Sequence, residues 1–192
     1  MFQIRWHARA GQGAITGAKG LADVISKTGK EVQAFASYGS AKRGAAMMAY
    51  NRVDDEPILN HERFMQPDYV LVIDPGLVFI ENIFANEKED TTYIITSYLN
   101  KEELFEKKPE LKTRKVFLVD CLKISMETLK RPIPNTPMLG ALMKVSGMLE
   151  IEAFKEAFKK VLGKSSRKKS LTLTCSLSKE LMKKFNNIKE QR

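Results

Sequence analysis

The feature that most constrains the fold is a strand, a glycine turn and a helix at the start of the chain. Alternating residues from Phe2 to Trp6 predict a short strand, which runs through residues 7–10 into Gly11-Gln12-Gly13. A helical pattern then runs from Ala14 to Thr28, with Gly29 as its C-cap. Such a unit brings the first free N–H groups of a helix to the carboxyl end of a strand, where they can hold an anion.

The same alternation of strands and helices continues along the chain. It predicts a three-layer α/β/α domain, Rossmann-like, with a mostly parallel sheet. The continuously apolar run Tyr69–Ile73 is typical of a strand that is buried on both faces. The other predicted strands are Phe2–Trp6, Val32–Phe35, Ala45–Val53, Tyr93–Thr96 and Val116–Val119. The predicted helices are Ala14–Thr28, Gly76–Phe84, Lys101–Lys107, Cys121–Leu129, Thr136–Met148 and Ile151–Leu162.

Length and composition limit the class of protein. The 192 residues suit one domain with a full core, and no apolar run approaches the roughly 20 residues that span a bilayer. Two cysteines make neither a disulfide framework nor a metal cluster, so we expect a cytoplasmic protein without membrane contact. The net charge is +9, but residues 164–192 carry nine basic and two acidic side chains. Residues 1–163 are therefore close to neutral, which argues against nucleic-acid binding.

The glycine turn has two further interpretations. With Gly17 the spacing is G-x-G-x-x-x-G, a variant of the dinucleotide fingerprint, so a stand-alone NADP-binding oxidoreductase is one alternative. The second strand ends in Gln33-Ala34-Phe35 without an acidic residue for a ribose hydroxyl, although Lys42 and Arg43 could meet a 2′-phosphate. The simpler interpretation is that the glycines only let the helix pack close to the sheet.

A second motif follows the second strand. Residues 37–44 read Ser-Tyr-Gly-Ser-Ala-Lys-Arg-Gly, a compact loop rich in small residues whose Lys42 and Arg43 can present donors to an acidic group. A solvated basic loop is the alternative. The glycine turn, this loop and the later run Asn51–Ile58, in this order and spacing, resemble the gamma subunit of pyruvate:ferredoxin (or flavodoxin) oxidoreductases. The resemblance covers residues 1–163. Ala8 and Ala10 stand where the family more often has glycine.

The resemblance implies a subunit of an oxidoreductase that converts pyruvate and coenzyme A to acetyl-CoA and CO2, with electrons passing to ferredoxin or flavodoxin. It implies alpha, beta and delta subunits as partners, with thiamine diphosphate, magnesium and iron–sulfur clusters on them and no cofactor on this chain. A 2-oxoglutarate or other 2-oxoacid enzyme of the same family is the nearest alternative. No catalytic residue and no metal ligand is assigned here. The residues implied in cofactor or subunit contact are Gly11, Gln12, Gly13, Ser40, Lys42, Arg43 and Gly44.

Other polar residues receive structural interpretations. His7 follows a strand without a second histidine or cysteine nearby, so we expect it to be structural or exposed. The same holds for His61. The acidic run Asp54–Glu56 reads as a solvated turn, and Asp74 as the N-cap of the helix after it.

The last 29 residues form a separate segment, 164–192, that we predict to be a basic, poorly ordered tail. It begins in a polar run and lacks the closing helix of the family. If one adenine is restored at its start, permitted codons for Lys164 to Phe185 read KKLTQEVIDANMLAIQRAYEEV, an amphipathic helix. We therefore interpret the tail as a frameshift product; a genuine basic interaction arm is the alternative.

Overall fold

The structure is a computed structural model that describes residues 1–38, 44–60, 62, 66–150, 152–154 and 156. Ser40, Lys42, Arg43, His61 and the whole segment 164–192 lie outside the described residues, as does most of the predicted helix Ile151–Leu162. The strands are β1 (Phe2–Arg9), β2 (Glu31–Tyr38), β3 (Ala46–Asp54), β4 (Tyr69–Val72), β5 (Thr92–Thr96) and β6 (Lys115–Val119). The helices are α1 (Ala14–Ile25), α2 (Leu77–Ile80), α3 (Lys101–Lys107), α4 (Cys121–Leu129) and α5 (Asn135–Ser146).

The six strands form one sheet in the order β2-β3-β1-β4-β5-β6. The neighbours β1–β4, β4–β5 and β5–β6 pair in parallel, whereas β3 is antiparallel to both β1 and β2. Five strands therefore point one way and β3 the other. The predicted mostly parallel sheet is confirmed, and the reversed strand between β1 and β2 is a feature that strand patterns did not indicate.

Helices cover both faces of the sheet, which confirms the three-layer α/β/α architecture. One face carries Ile4, Trp6 and Leu71 and packs against α1, α4 and α5. The other face carries Val70, Val72 and Tyr93 and packs against α2 and α3. The continuously apolar β4 is thus buried on both sides, as its composition predicted.

The predicted helix Gly76–Phe84 is wrong in its extent, because α2 ends at Ile80 and Glu81 is extended. A tertiary contact holds the segment that follows α2. The buried guanidinium of Arg5 donates Nη1 to the carbonyl oxygen of Ala85 at 2.8 Å and Nη2 to that of Ile83 at 2.9 Å. These two carbonyls satisfy a buried cation on β1 and hold the segment after α2 against the sheet.

Local end signals are more accurate. Helix α1 continues into a 3₁₀ turn, Ser26–Thr28. Gly29 ends this turn at φ +84°, in the C-cap position that the sequence predicted. Asn100 and Glu103 form a capping box at the start of α3, whose bounds match the prediction. Asp74 is not a side-chain N-cap of α2; its Oδ1 accepts a hydrogen bond from the backbone of Gly76, two residues on.

Candidate functional site

The candidate site lies at the carboxyl edge of the sheet, between β1 and β4. After β1 the chain continues into α1 on one face of the sheet, whereas after β4 it continues into α2 on the opposite face. This change of direction opens a crevice at the carboxyl ends of the strands, the usual ligand position in open α/β sheets. The glycine turn after β1 and the segment Asp74–Gly76 after β4 meet there.

Side-chain contacts hold the glycine turn to the segment after β4. Gln12 donates Nε2 to Oδ2 of Asp74 at 2.6 Å, and Nε of Arg9 lies 3.3 Å from the same oxygen. Gln12 also accepts a hydrogen bond from the backbone N–H of Arg9 through Oε1, at 2.8 Å. With Gly76 on its other oxygen, the Asp74 carboxylate joins both sides of the crevice. Gln12 therefore has a positioning role in the turn.

The second glycine of the turn is placed by packing. Gly13 has φ +82°, and a Cβ built on it would lie 2.6 Å from Nδ2 of Asn135, at the start of α5. That nitrogen donates to the carbonyl oxygen of Gly13 at 3.1 Å. In a dinucleotide fingerprint, this space admits the pyrophosphate. Here Asn135 occupies it, so the close approach is between two parts of the protein.

The third glycine of the spacing has the same role. A Cβ on Gly17 would lie 3.2 Å from the ring of Trp6 and 3.3 Å from Cβ of Asn135. Trp6 is fully buried and donates Nε1 to Asn51 on β3 at 2.9 Å. Gly11 differs, because its φ is +100° and its Cβ position is open. Packing of the helix against the sheet, as the sequence suggested, thus accounts for Gly17. Gly13 packs instead against Asn135 of α5, and backbone conformation accounts for Gly11.

Sheet order also bears on the NADP alternative. A dinucleotide-binding unit pairs its first two parallel strands directly, which sets the end of the second strand beside the glycine turn. In this fold β3 separates β1 from β2. The end of β2 is therefore one strand further from the turn than that unit requires.

The fold brings the two sequence motifs together at the described end of the second loop. Arg9 donates Nη1 to the carbonyl oxygen of Gly44 at 3.2 Å, and the backbone N–H of Ala10 donates to that of Ala45 at 2.9 Å. Gly44 has φ +81° and open space around it. The predicted residues Gly11, Gln12, Gly13 and Gly44 consequently share one edge of the sheet.

Sequence reasoning missed the environment of His7. The imidazole is 1% exposed, and its Nε2 is buried without a hydrogen-bond partner among the described residues. Burial, assisted by the neighbouring Arg5 guanidinium, lowers the pKa of His7 to about 3, so the ring is neutral at pH 7. His7 lines a cavity of about 270 Å³ together with Ser37, Met48 and Glu81. Its position among inward-facing residues of β1 was the only available signal.

The described residues offer no metal centre. Within them, no group of three or more His, Cys, Asp or Glu side chains is placed to hold a metal ion. Cys121 is fully buried, and burial raises the pKa of its thiol to about 12. Metal ligation requires the thiolate, so Cys121 is an inert core residue. Across the described ranges, no helix is long and apolar enough to cross a bilayer.

Comparisons with known proteins agree with this fold. The family model for pyruvate ferredoxin/flavodoxin oxidoreductase matches residues 3–173. The pyruvate/ketoisovalerate oxidoreductases common subunit gamma of Pyrococcus abyssi is 41% identical, over 88% of this chain and 92% of that protein. Pyruvate synthase subunit PorC of Thermotoga maritima is 40% identical, over 85% of this chain and 83% of that protein.

A solved structure extends the likeness to three dimensions. The crystal structure of the pyruvate oxidoreductase subunit PORC from Thermotoga maritima superposes with a TM-score of 0.80 at 35% identity. The match covers 98% of this chain and 97% of that one. The sequence resemblance is confirmed: this chain belongs to the pyruvate ferredoxin/flavodoxin oxidoreductase family.

Proposed function

We propose that this chain is the gamma subunit of a multi-subunit pyruvate:ferredoxin/flavodoxin oxidoreductase. The complex oxidatively decarboxylates pyruvate with coenzyme A to acetyl-CoA and CO2, and passes two electrons to a small acceptor protein. The observation that carries this proposal is the similarity to a relative named as a gamma subunit, which is 41% identical over 92% of that relative's length. A 2-oxoglutarate or other 2-oxoacid enzyme is the alternative within the family. Among the relatives at about 40% identity, one is named for pyruvate alone and one for both pyruvate and ketoisovalerate.

The redox chemistry belongs to partner subunits in this proposal. Alpha, beta and delta subunits would carry thiamine diphosphate, magnesium and the iron–sulfur clusters, and ferredoxin or flavodoxin would meet the assembled complex in the cytoplasm. Cys121 supports this division, because one thiol that is fully buried in the core does not supply the set of cysteines that holds a cluster. The role left to this chain is to complete a wall of the active site and stabilise the assembly.

The glycine turn and the second loop are the part of the chain that we assign to this contact. Gly11, Gln12, Ser40, Lys42, Arg43 and Gly44 would meet coenzyme A phosphates or the neighbouring subunit. Gly13 would contribute by shaping the turn, because Asn135 fills the space beside it. Two observations support the assignment. Arg9 joins the turn to Gly44, and no side chain caps the start of α1, whose first N–H groups suit an anion.

Co-purification tests the proposed function. The chain should be captured with its partner subunits in a gentle pull-down from the native organism, and mass spectrometry should identify them as oxidoreductase subunits. The assembled complex should reduce ferredoxin or flavodoxin with pyruvate and coenzyme A, and do so faster than with 2-oxoglutarate. The pure chain with added thiamine diphosphate should show no turnover. A free, active monomer that retains NADP would contradict the proposal.

For the tail, we propose that residues 164–192 are read from a shifted frame. Restoring one adenine converts 22 residues into a pattern with apolar residues at near-helical spacing, which chance rarely produces. In this proposal the charge of +7 on the tail is accidental, and the restored helix docks on the domain.

A further inference from the structure

One polar side chain of the sheet lies in the interior without a partner. His7 on β1 is 1% exposed, and its Nε2 has no hydrogen-bond partner among the described residues. Such atoms are rare in folded proteins, because a polar group that loses water and gains no partner costs free energy. Burial lowers the pKa of His7 to about 3, so the ring is neutral at pH 7. The neutral ring therefore keeps an unused hydrogen-bonding atom.

The imidazole of His7 forms part of the wall of a cavity of about 270 Å³, which we call the His7 cavity. The other polar side chains of this wall are Ser37 near the end of β2 and Glu81 directly after α2. Within the described part of the chain, neither of these two side chains has a hydrogen-bond or ion-pair partner. Three polar side chains with unused hydrogen-bonding capacity thus surround one cavity.

The rest of the wall of the His7 cavity is apolar. It consists of Leu77 on α2 and of Ala46, Met47 and Met48 on β3. Met48 lies directly opposite His7 in the ladder between β1 and β3, and its unbranched side chain can move to admit a ligand. An apolar wall with a few polar groups is the usual composition of a small-molecule site. The volume is just below the roughly 300–1,000 Å³ of such sites, so a compact molecule fits.

The charges around the His7 cavity select an uncharged ligand that donates a hydrogen bond. A carboxylate accepts hydrogen bonds only, so Glu81 repels an anion and pairs with an N–H or O–H group. The guanidinium of Arg5, whose charge adds to burial in lowering the pKa of His7, opposes a cation. An amide carries a donor and an acceptor on separate atoms. It can therefore pair with Glu81 and with a second polar group of the wall at the same time.

We propose that the His7 cavity is a binding site for a small uncharged ligand that carries an amide group on a short apolar chain. The amide pairs with Nε2 of His7 and with the Glu81 carboxylate, and the apolar chain packs against Met48 and Leu77. This site goes beyond the proposed function. Among the described residues that we assign to coenzyme A or subunit contact, none forms part of the wall of the His7 cavity.

Butyramide is a suitable probe, and three molecules of nearly the same shape separate its features. Butyrate carries a negative charge, butylammonium carries a positive charge, and 2-pentanone accepts hydrogen bonds without donating one. Each would be titrated into the full chain and followed by NMR of the histidine ring nitrogens and the backbone amides. The chain has two histidines, so the ring signals of His7 are assigned by their absence in His7→Phe.

We expect butyramide to shift the ring signals of His7 in a saturable manner. His7→Phe should weaken butyramide binding about tenfold, because a buried hydrogen bond is lost. It should not lower the melting temperature, since the variant removes a buried atom that has no partner.

The three related molecules should bind about tenfold more weakly than butyramide, because each leaves a charge or a polar group unpaired. Glu81→Gln should strengthen butyrate binding about fivefold. The matched control is Glu89→Gln, at an exposed residue before β5, which should leave butyrate binding unchanged.

The absence of a saturable response of His7 to butyramide would overturn the site, and so would equal binding of butyramide to His7→Phe and to the unchanged chain. Equal binding of 2-pentanone would overturn the amide selectivity, because the cavity would then accept apolar molecules without regard to hydrogen bonds. If His7→Phe does not fold, Glu81→Ala makes the same comparison, since it removes the acceptor for the amide N–H. The assay uses no partner subunit, so each of these results leaves the proposed function intact.

Discussion

Replacement of Gly13 by alanine separates packing from backbone strain in the glycine turn. At Gly13 the new Cβ would lie 2.6 Å from Nδ2 of Asn135, whereas at Gly11 it would meet nothing within 4 Å. Both glycines have positive φ, so both variants share a left-handed penalty of about 1–2 kcal/mol and the same entropy change in the unfolded chain. The difference between the variants therefore measures the contact with Asn135.

Overpacking of this kind costs about 1–3 kcal/mol. Asn135 is nearly buried and donates Nδ2 to the carbonyl oxygen of Gly13, so moving its side chain aside also breaks a hydrogen bond. In urea titrations, we expect the free energy of unfolding of Gly13→Ala to be about 1–3 kcal/mol lower than that of Gly11→Ala. In thermal melts the gap should be roughly 2–12 °C for a chain of this size.

Removal of the partner completes the experiment. In an Asn135→Ala background, the space beside Gly13 is open and the gap between Gly13→Ala and Gly11→Ala should close. Equal stability of the two glycine variants in the unchanged background would refute the packing interpretation. The turn would then be free for the close approach of a ligand.

Four further outcomes are expected. The pKa of His7 is about 3 in the folded chain and near 6.5 in the unfolded chain, so between these values only the unfolded chain binds the proton. The free energy of unfolding should therefore fall by about 2 kcal/mol from pH 6.5 to pH 5 in urea titrations. The fall should be smaller in His7→Gln, which lacks the titrating ring. Native Cys121 should resist a thiol reagent that labels it in urea, whereas fast native labelling would contradict its burial. Replacing Lys42 and Arg43 together by alanine should raise the apparent KM for coenzyme A or weaken assembly, and no change in either would indicate a solvated loop. The gene should carry an adenine run at the codon for Lys164; its absence, or an early stop in the alternate frame, would refute the frameshift.

The sequence by itself determined the elements and the family. The bounds of α3 and α4 and the start of α1 follow from caps and periodicity, which act within a few residues of one another. The family follows from two motifs in order, since that pattern is a property of the chain alone. These features need no knowledge of which segments meet.

Only the tertiary structure decided which distant parts of the chain contact the sequence motifs. The reversed β3 lies between β1 and β2, and no local pattern states the direction of a strand in a sheet. Arg5 binds the segment after α2 through carbonyls about 80 residues away, and Asn135 fills the space beside Gly13 from 122 residues away. Such contacts depend on how the whole chain packs around one core, whereas periodicity and capping signals extend over a single turn or strand. For this reason the role of the glycines and the burial of His7 became visible only in the folded protein.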